Sequence, residues 1–297
     1  MSAIIELRLG EACVRVAPEL GARITRCSLP DAKGRSLEVF HPYPEHHTDL
    51  LHWGKGGLYP LIPYWGRISN AQLQHGGAAI ALCPHPDALP HTLHGTAHQS
   101  SWQVEHHQGT RLTLSLDKAP DAHWPWRYEA RMSVTLGPRS LHVDIALTNA
   151  DREPMPGGIG LHPYLRCAAS ARLKFAARQS WAMTPDFLGI RATPLDAPDA
   201  SQRAPAVGSA GFTRAYGGWD GDLLLSDGDS AALRITASSA LDHLILHRPD
   251  NAPYLCIEPV SHTADAFNLA TQGIADTGAL TLAPGQSLSA TVGFSLE

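Results

Sequence analysis

The stretch YEARMSVTLGPRSLHVDIALTN, Tyr128 to Asn149, decides the fold. Tyr128, Ala130, Met132, Val134 and Leu136 alternate with Glu129, Arg131, Ser133 and Thr135. After the turn-forming Gly137 to Ser140, the residues Leu141, Val143, Ile145 and Leu147 alternate with His142, Asp144 and Thr148. A period of two is that of a pleated strand with one face buried, and two such runs across a Gly-Pro turn predict an antiparallel hairpin. Working outward, Leu112, Leu114 and Leu116 alternate with Thr113 and Ser115. Shorter runs of the same kind occur at Ile4 to Leu9, Cys13 to Ala17, Asp222 to Leu225, Ala232 to Thr236, Leu244 to His247, Tyr254 to Ile257 and Leu288 to Leu296. Pro and Gly interrupt nearly every window that would hold three helical turns. The expectation is an all-β chain, a large antiparallel β-sandwich with few or no helices. No repeat of fixed period is visible. Ala192 to Gly211, rich in Ala, Pro, Ser and Asp, reads as a long loop within a single domain of residues 1–297.

Composition narrows the function. The chain has 297 residues, 43% hydrophobic and 17% charged, with a net charge of −5, which excludes a disordered chain. Its 23 Lys and Arg are spread along the sequence, so no basic footprint for nucleic acid is present. No run approaches the roughly 18 apolar residues that span a bilayer. Met1 to Val16 lacks the apolar stretch of a signal peptide. Five scattered cysteines without a CxxC pair argue against a disulfide framework or a structural zinc site. The expected setting is therefore cytoplasmic, without membrane or nucleic-acid partners. The oddest count is 17 histidines.

Four segments are neither alternating strand nor simple turn. In the first, Gly56 to Ile68, Arg67 follows a cluster of aromatics, glycines and prolines, including Tyr59, Tyr64, Trp65 and Gly66. A guanidinium there forks onto a hydroxyl or carboxylate while the aromatics offer flat faces to a sugar ring; equally, its stem packs on a ring near the surface. The second holds His91, His94 and His98, followed by Trp102. The spacing is that of ligands on a helix, but Pro84, Pro86, Pro90 and Gly95 oppose a helix, which leaves catalytic or structural histidines. In the third, Gly157 to Leu165, glycines precede His162, and Pro163 biases it to an extended conformation. A partly buried His there suits a general acid, and a hydrogen-bonded core His fits as well. In the fourth, Cys256 to His262, Glu258 closes an apolar strand that Pro259 is expected to stop. A carboxylate in such dry surroundings becomes a general base, unless backbone N–H groups or an Arg satisfy it.

Together and in this order, the segments resemble the aldose 1-epimerase (galactose mutarotase-like) family. The matching pieces are PLIPYWGRIS around Arg67, LHG at His94, GIGLHPYL around His162, CIEPVSHTADAFN around Glu258 and GGWDG at Gly217 to Gly221. The resemblance implies a galactose mutarotase-like supersandwich that interconverts the α and β anomers of a free aldose, with no metal or organic cofactor. It implies Glu258 as general base, His162 as general acid, and Arg67, His94, Trp219 and Asp220 as substrate-binding residues. Three positions depart from the family pattern. Gly66 stands where an Asn usually precedes the Arg, His98 where many relatives have Arg, and Thr213 where an Asp commonly contacts sugar hydroxyls. Asp220 or Asp222 is a candidate replacement for that Asp. The alternative is a non-catalytic carbohydrate-binding or sensing protein on the same fold.

Overall fold

The computed structural model describes residues 4–52, 54–196, 207–208, 210–226 and 231–297. Two antiparallel sheets dominate it, and 49% of the residues are strand against 6% helical. The hairpin expected from Tyr128 to Asn149 is present as Tyr128–Leu136 and Ser140–Asn149, with Tyr128 opposite Asn149 and Leu136 opposite Leu141. It forms the middle of an eight-stranded sheet ordered Arg172–Phe175, Asp222–Ser226, Leu233–Ala237, Ser287–Leu296, Ser140–Asn149, Tyr128–Leu136, Arg111–Lys118 and Gln103–Gln108. The second sheet has eleven strands, and its centre runs Arg23–Pro30, Leu58–Leu61, Gly160–Arg166, Tyr254–Val260 and His243–Arg248. Among the described residues the one α-helix is Ala266–Thr271, and no helix is long and apolar enough to cross a membrane.

The sheets meet through one apolar cluster. Leu114, Met132, Val143, Ile145 and Phe294 come from the smaller sheet, and Ile24, Leu58, Leu161, Leu255 and Ile257 from the larger. Phe40 meets Phe294 edge-on at 5.2 Å between ring centres. Side chains alternate across a strand, so the neighbours of these residues face away from the smaller sheet. They form a second buried cluster with Tyr59, Leu61, Tyr164, Cys256 and Val260, closed over by Trp65 and Trp181. The middle of the large sheet is thus buried on both faces.

That double burial explains what the sequence pattern hides. Leu58–Leu61 is buried at every position and Gly160–Arg166 at all but its last, so neither run alternates, and neither reads as a strand. Pro259 does not stop its strand: Tyr254–Val260 continues through it, with Pro259 opposite Leu244. The strand Gly189–Pro194 occupies the start of the stretch expected as a loop from Ala192 to Gly211. Most of the remainder, residues 197–206 and 209, lies outside the described residues.

Candidate active site

The register of three central strands brings the two catalytic candidates together. Tyr59 lies opposite His162. On the other flank Gly160 pairs with Val260 and Tyr164 with Cys256, and the same register carried between those pairs sets Glu258 opposite His162. Pro163 and Pro259 lack the N–H that a ladder needs, so the pairing is interrupted at the acid–base pair. His162 Nε2 stands 3.4 Å from Glu258 Oε1, and the two residues are 5% and 3% exposed. The imidazole is clamped between rings, stacked on Tyr59 at 4.8 Å and on Tyr164 at 4.7 Å.

Glu258 has one further polar partner. Trp65 Nε1–H donates to its Oε2 at 2.6 Å. Trp65 is held in turn by its backbone N–H, which donates to His262 Nε2 at 3.2 Å. Because that nitrogen accepts, the proton of neutral His262 sits on Nδ1, 3.0 Å from Ser261 Oγ. Burial pushes His262 down to about 3, so it acts as a fixed neutral strut.

Burial pushes Glu258 up to about 8, with the Trp65 hydrogen bond pulling the other way. It pushes His162 well below the ordinary imidazole range, and His247, Lys55 and Arg23 add to the effect. Both shifts favour the neutral forms, so at neutral pH the pair holds one proton between the two residues. Trp65→Phe removes the bond that steadies the carboxylate. We expect Glu258 to titrate above its present value of about 8 in that variant, as read from its carboxyl carbon by NMR.

His94 and Arg67 line the same cavity, which measures about 240 Å³. The Gly66 N–H donates to His94 Nδ1 at 3.2 Å, and the His94 N–H donates to the Gly66 carbonyl at 2.7 Å. Neutral His94 therefore carries its proton on Nε2. Its ring is perpendicular to His162, 5.3 Å away. Gly66 has φ +72°, a conformation open to Gly and, among other residues, mainly to Asn. The departure at this position thus keeps the backbone and gives up a side-chain amide. Gly95, at φ +67°, is required by space as well: a Cβ would stand 2.4 Å from the Ile62 carbonyl oxygen.

The Arg67 guanidinium lies 5.0 Å over the Phe187 ring and donates to the Asp186 backbone carbonyl. Asp186 in turn receives His91 Nε2 at 2.7 Å. The three histidines of the second segment diverge. His91 latches the Asp186 loop, His94 faces the cavity, and His98 stacks on the hidden side of Tyr59 at 5.1 Å.

Thr213 also lines the cavity, with its Oγ1 2.8 Å from His247 Nδ1. Trp219 and Asp220 do not. Trp219 is 4% exposed in the main core and donates to the Asp222 carbonyl at 3.1 Å. Asp220 is exposed and accepts from the Asp222 N–H, while Asp222 pairs with Arg234 at 2.8 Å. The GGWDG stretch is a turn, in which Gly221 at φ +83° packs against the Ala237 carbonyl.

Sequence reasoning missed His247, Lys55, Tyr164 and Phe187, all lining the cavity. It also left Asp265 and Asn268 without a role. Their carboxylate and amide staple the segment that carries Arg67: Asp265 N–H donates to the Arg67 carbonyl and Ser69 N–H to Asp265 Oδ1. Asn268 donates to the Gln72 carbonyl and accepts from the Gln74 N–H. Their place within the fourth motif was the available signal.

A grouping of metal-binding type exists in His162, Cys256 and Glu258, whose donor atoms lie within 4.8 Å of one another. Burial drives the Cys256 thiol well above its ordinary range, so in the metal-free site it is a neutral thiol.

Comparison with known proteins identifies the family and the fold. The model of the aldose 1-epimerase family matches residues 3–295. The chain is 24% identical over 268 residues to the uncharacterized Escherichia coli K12 protein YphB, covering 84% of this chain and 89% of that one. Among solved structures, a putative aldose 1-epimerase from E. coli K12 superposes with a TM-score of 0.84 at 20% identity, over 99% of both chains. A galactose mutarotase-like protein from Clostridium acetobutylicum gives 0.83 at 15% identity, over 100% of this chain and 98% of that one. These structural likenesses carry the fold. The family match spans nearly the whole length, and the chain belongs to the aldose 1-epimerase family.

Proposed function

We propose that the protein is a mutarotase that interconverts the α and β anomers of a free hexose or related aldose, with Glu258 as base and His162 as acid. The observation that carries this reading is the dry contact of His162 Nε2 with Glu258 Oε1, 3.4 Å apart in a cavity sized for a small ligand. A binding protein has no use for a base and an acid held so close at the cost of burying both.

The steps balance. Glu258 carboxylate takes the proton of the C1 hydroxyl while imidazolium at His162 gives its proton to the ring oxygen, and the C1–O5 bond breaks. The open aldehyde turns about C1–C2. Closure on the other face returns the Glu258 proton to O1 and the O5 proton to His162. The pair holds one proton before and after ring opening, matching the count that burial sets in the free site. His94 Nε2–H and the Arg67 guanidinium orient ring hydroxyls, and Thr213 with His247 lines the far wall. Trp219 and Asp220 take no part. Residues 1–297 act as one domain, and five cysteines without a disulfide fit a reducing, cytoplasmic setting.

The test is NMR saturation transfer between anomeric protons of glucose, galactose and a panel of modified and phosphorylated aldoses. Exchange that rises with protein concentration for at least one aldose is expected. Saturable binding of a sugar without faster exchange would make the protein a sugar sensor instead.

A further inference from the structure

Arg23 is the first residue of the strand Arg23–Pro30 and has no exposed surface. Its guanidinium stands 4.3 Å over the Tyr59 ring and 4.5 Å over the Tyr43 ring. Nη1 reaches the Gly56 carbonyl at 3.4 Å, while Nε and Nη2 meet no acceptor. Among the described residues the groups that act on its charge are tyrosines, and no carboxylate compensates it. A dry, unpaired cation is costly, and Arg cannot relieve the cost by losing its proton. Tyr59, directly beneath that cation, is the ring on which His162 stacks at 4.8 Å. Arg23 and His162 thus share the Tyr59 ring as a neighbour, and His98 stacks on it as well.

We propose that Arg23 is a positioning residue for the acid: its charge, acting across Tyr59, opposes imidazolium at His162 and so makes protonated His162 a stronger acid toward the sugar ring oxygen. The proposal rests on the mutarotase reading of the site. Other groups also face His162. Glu258 and Cys256 come from Tyr254–Val260, Tyr164 from its own strand, and His94 and His98 from the 91–99 segment. Lys55 precedes Leu58–Leu61, and His247 lies on His243–Arg248. Lys55 and His247 act in the same direction as Arg23, and ionised Glu258 acts against it. Lys55 is exposed and screened by water, whereas Arg23 is buried and its field persists. A buried unit charge at this range moves a titration by on the order of one pH unit.

The experiment follows the His162 ring resonance by NMR against pH in the sugar-free protein, assigned by its loss in His162→Asn. Arg23→Met removes the charge, Arg23→Gln removes it while keeping a donor for Gly56, and Arg23→Lys retains it. The expected result is a His162 midpoint raised by about one pH unit in the Met or Gln variant and little changed in the Lys variant. The acidic limb of kcat/KM moves up by the same amount. A midpoint unmoved by the neutral variants, or moved as far by Lys as by Met, overturns the proposal. The titration needs no turnover, so it is read independently of the wild-type assay on which the mutarotase reading depends.

Discussion

Glu258→Gln is expected to slow anomer exchange by about 10³-fold and, at alkaline pH, to make the protein more stable. The rate loss is that of removing a general base whose task no neighbour can take over. The stability gain follows from burial. Glu258 titrates at about 8 in the folded protein against an ordinary value of 4.5. Below 4.5 both folded and unfolded chains hold the proton, and the residue adds no pH dependence. Between 4.5 and 8 the folded chain keeps a proton that the unfolded chain has released, so stability falls as pH rises. Above 8 the full penalty applies, on the order of 4–5 kcal/mol as an upper bound. Gln carries no such penalty and retains an oxygen for the Trp65 N–H. Thermal melts at pH 8.5 are expected to place the variant roughly 5 °C or more above wild type, with the gap closing by pH 5. A variant less stable than wild type at pH 8.5 would show that Glu258 is not a strained, buried acid.

His162→Asn is expected to cost a comparable 10²- to 10⁴-fold in rate and to reverse the sign of the alkaline pH dependence. In wild type the active site needs one proton in the pair. Activity therefore falls as pH rises through about 8, where the last proton leaves, and falls again in acid, well below the ordinary histidine range, where a second proton enters. Between these limbs the profile is flat. With Asn at 162 nothing shares the Glu258 proton, so the base forms only when Glu258 itself ionises. The residual rate then increases with pH through that region instead of decreasing. Wild-type and variant profiles of kcat/KM from pH 5 to 9.5 check this. Two parallel alkaline limbs would mean that Glu258 and His162 do not work as a proton-sharing pair.

The fold was legible where one face of a strand meets water. Tyr128–Leu136 and Ser140–Asn149 announce themselves because Glu129, Arg131, His142 and Asp144 mark the wet face. Leu58–Leu61 and Gly160–Arg166 do not, because the large sheet is covered on both sides at its centre and every position there is apolar or functional. The site lies in that illegible region. The sequence order of Arg67, His94, His162 and Glu258 shows nothing of their meeting, which joins segments far apart in the chain, as with Trp65 and Glu258, 193 positions apart. Motif resemblance named four residues that are among those lining the cavity, Arg67, His94, His162 and Glu258, and two that are not, Trp219 and Asp220. A Trp between glycines reads as a ring for a sugar, yet here the glycines serve a tight turn that tucks the indole into the core. His247 and Arg23 were invisible for a different reason. Their roles come from what they stack on or touch across the sheet, and no local pattern encodes that.

The central claim, proton transfer at the two oxygens of a hemiacetal by Glu258 and His162, is tested most directly by two-dimensional exchange NMR of an aldose in D₂O. The expected result is α/β cross-peaks that grow with wild-type protein, full retention of the protons on C1 and C2, and loss of the acceleration in Glu258→Gln. Acceleration that survives Glu258→Gln, or no acceleration for any aldose tested, would contradict it.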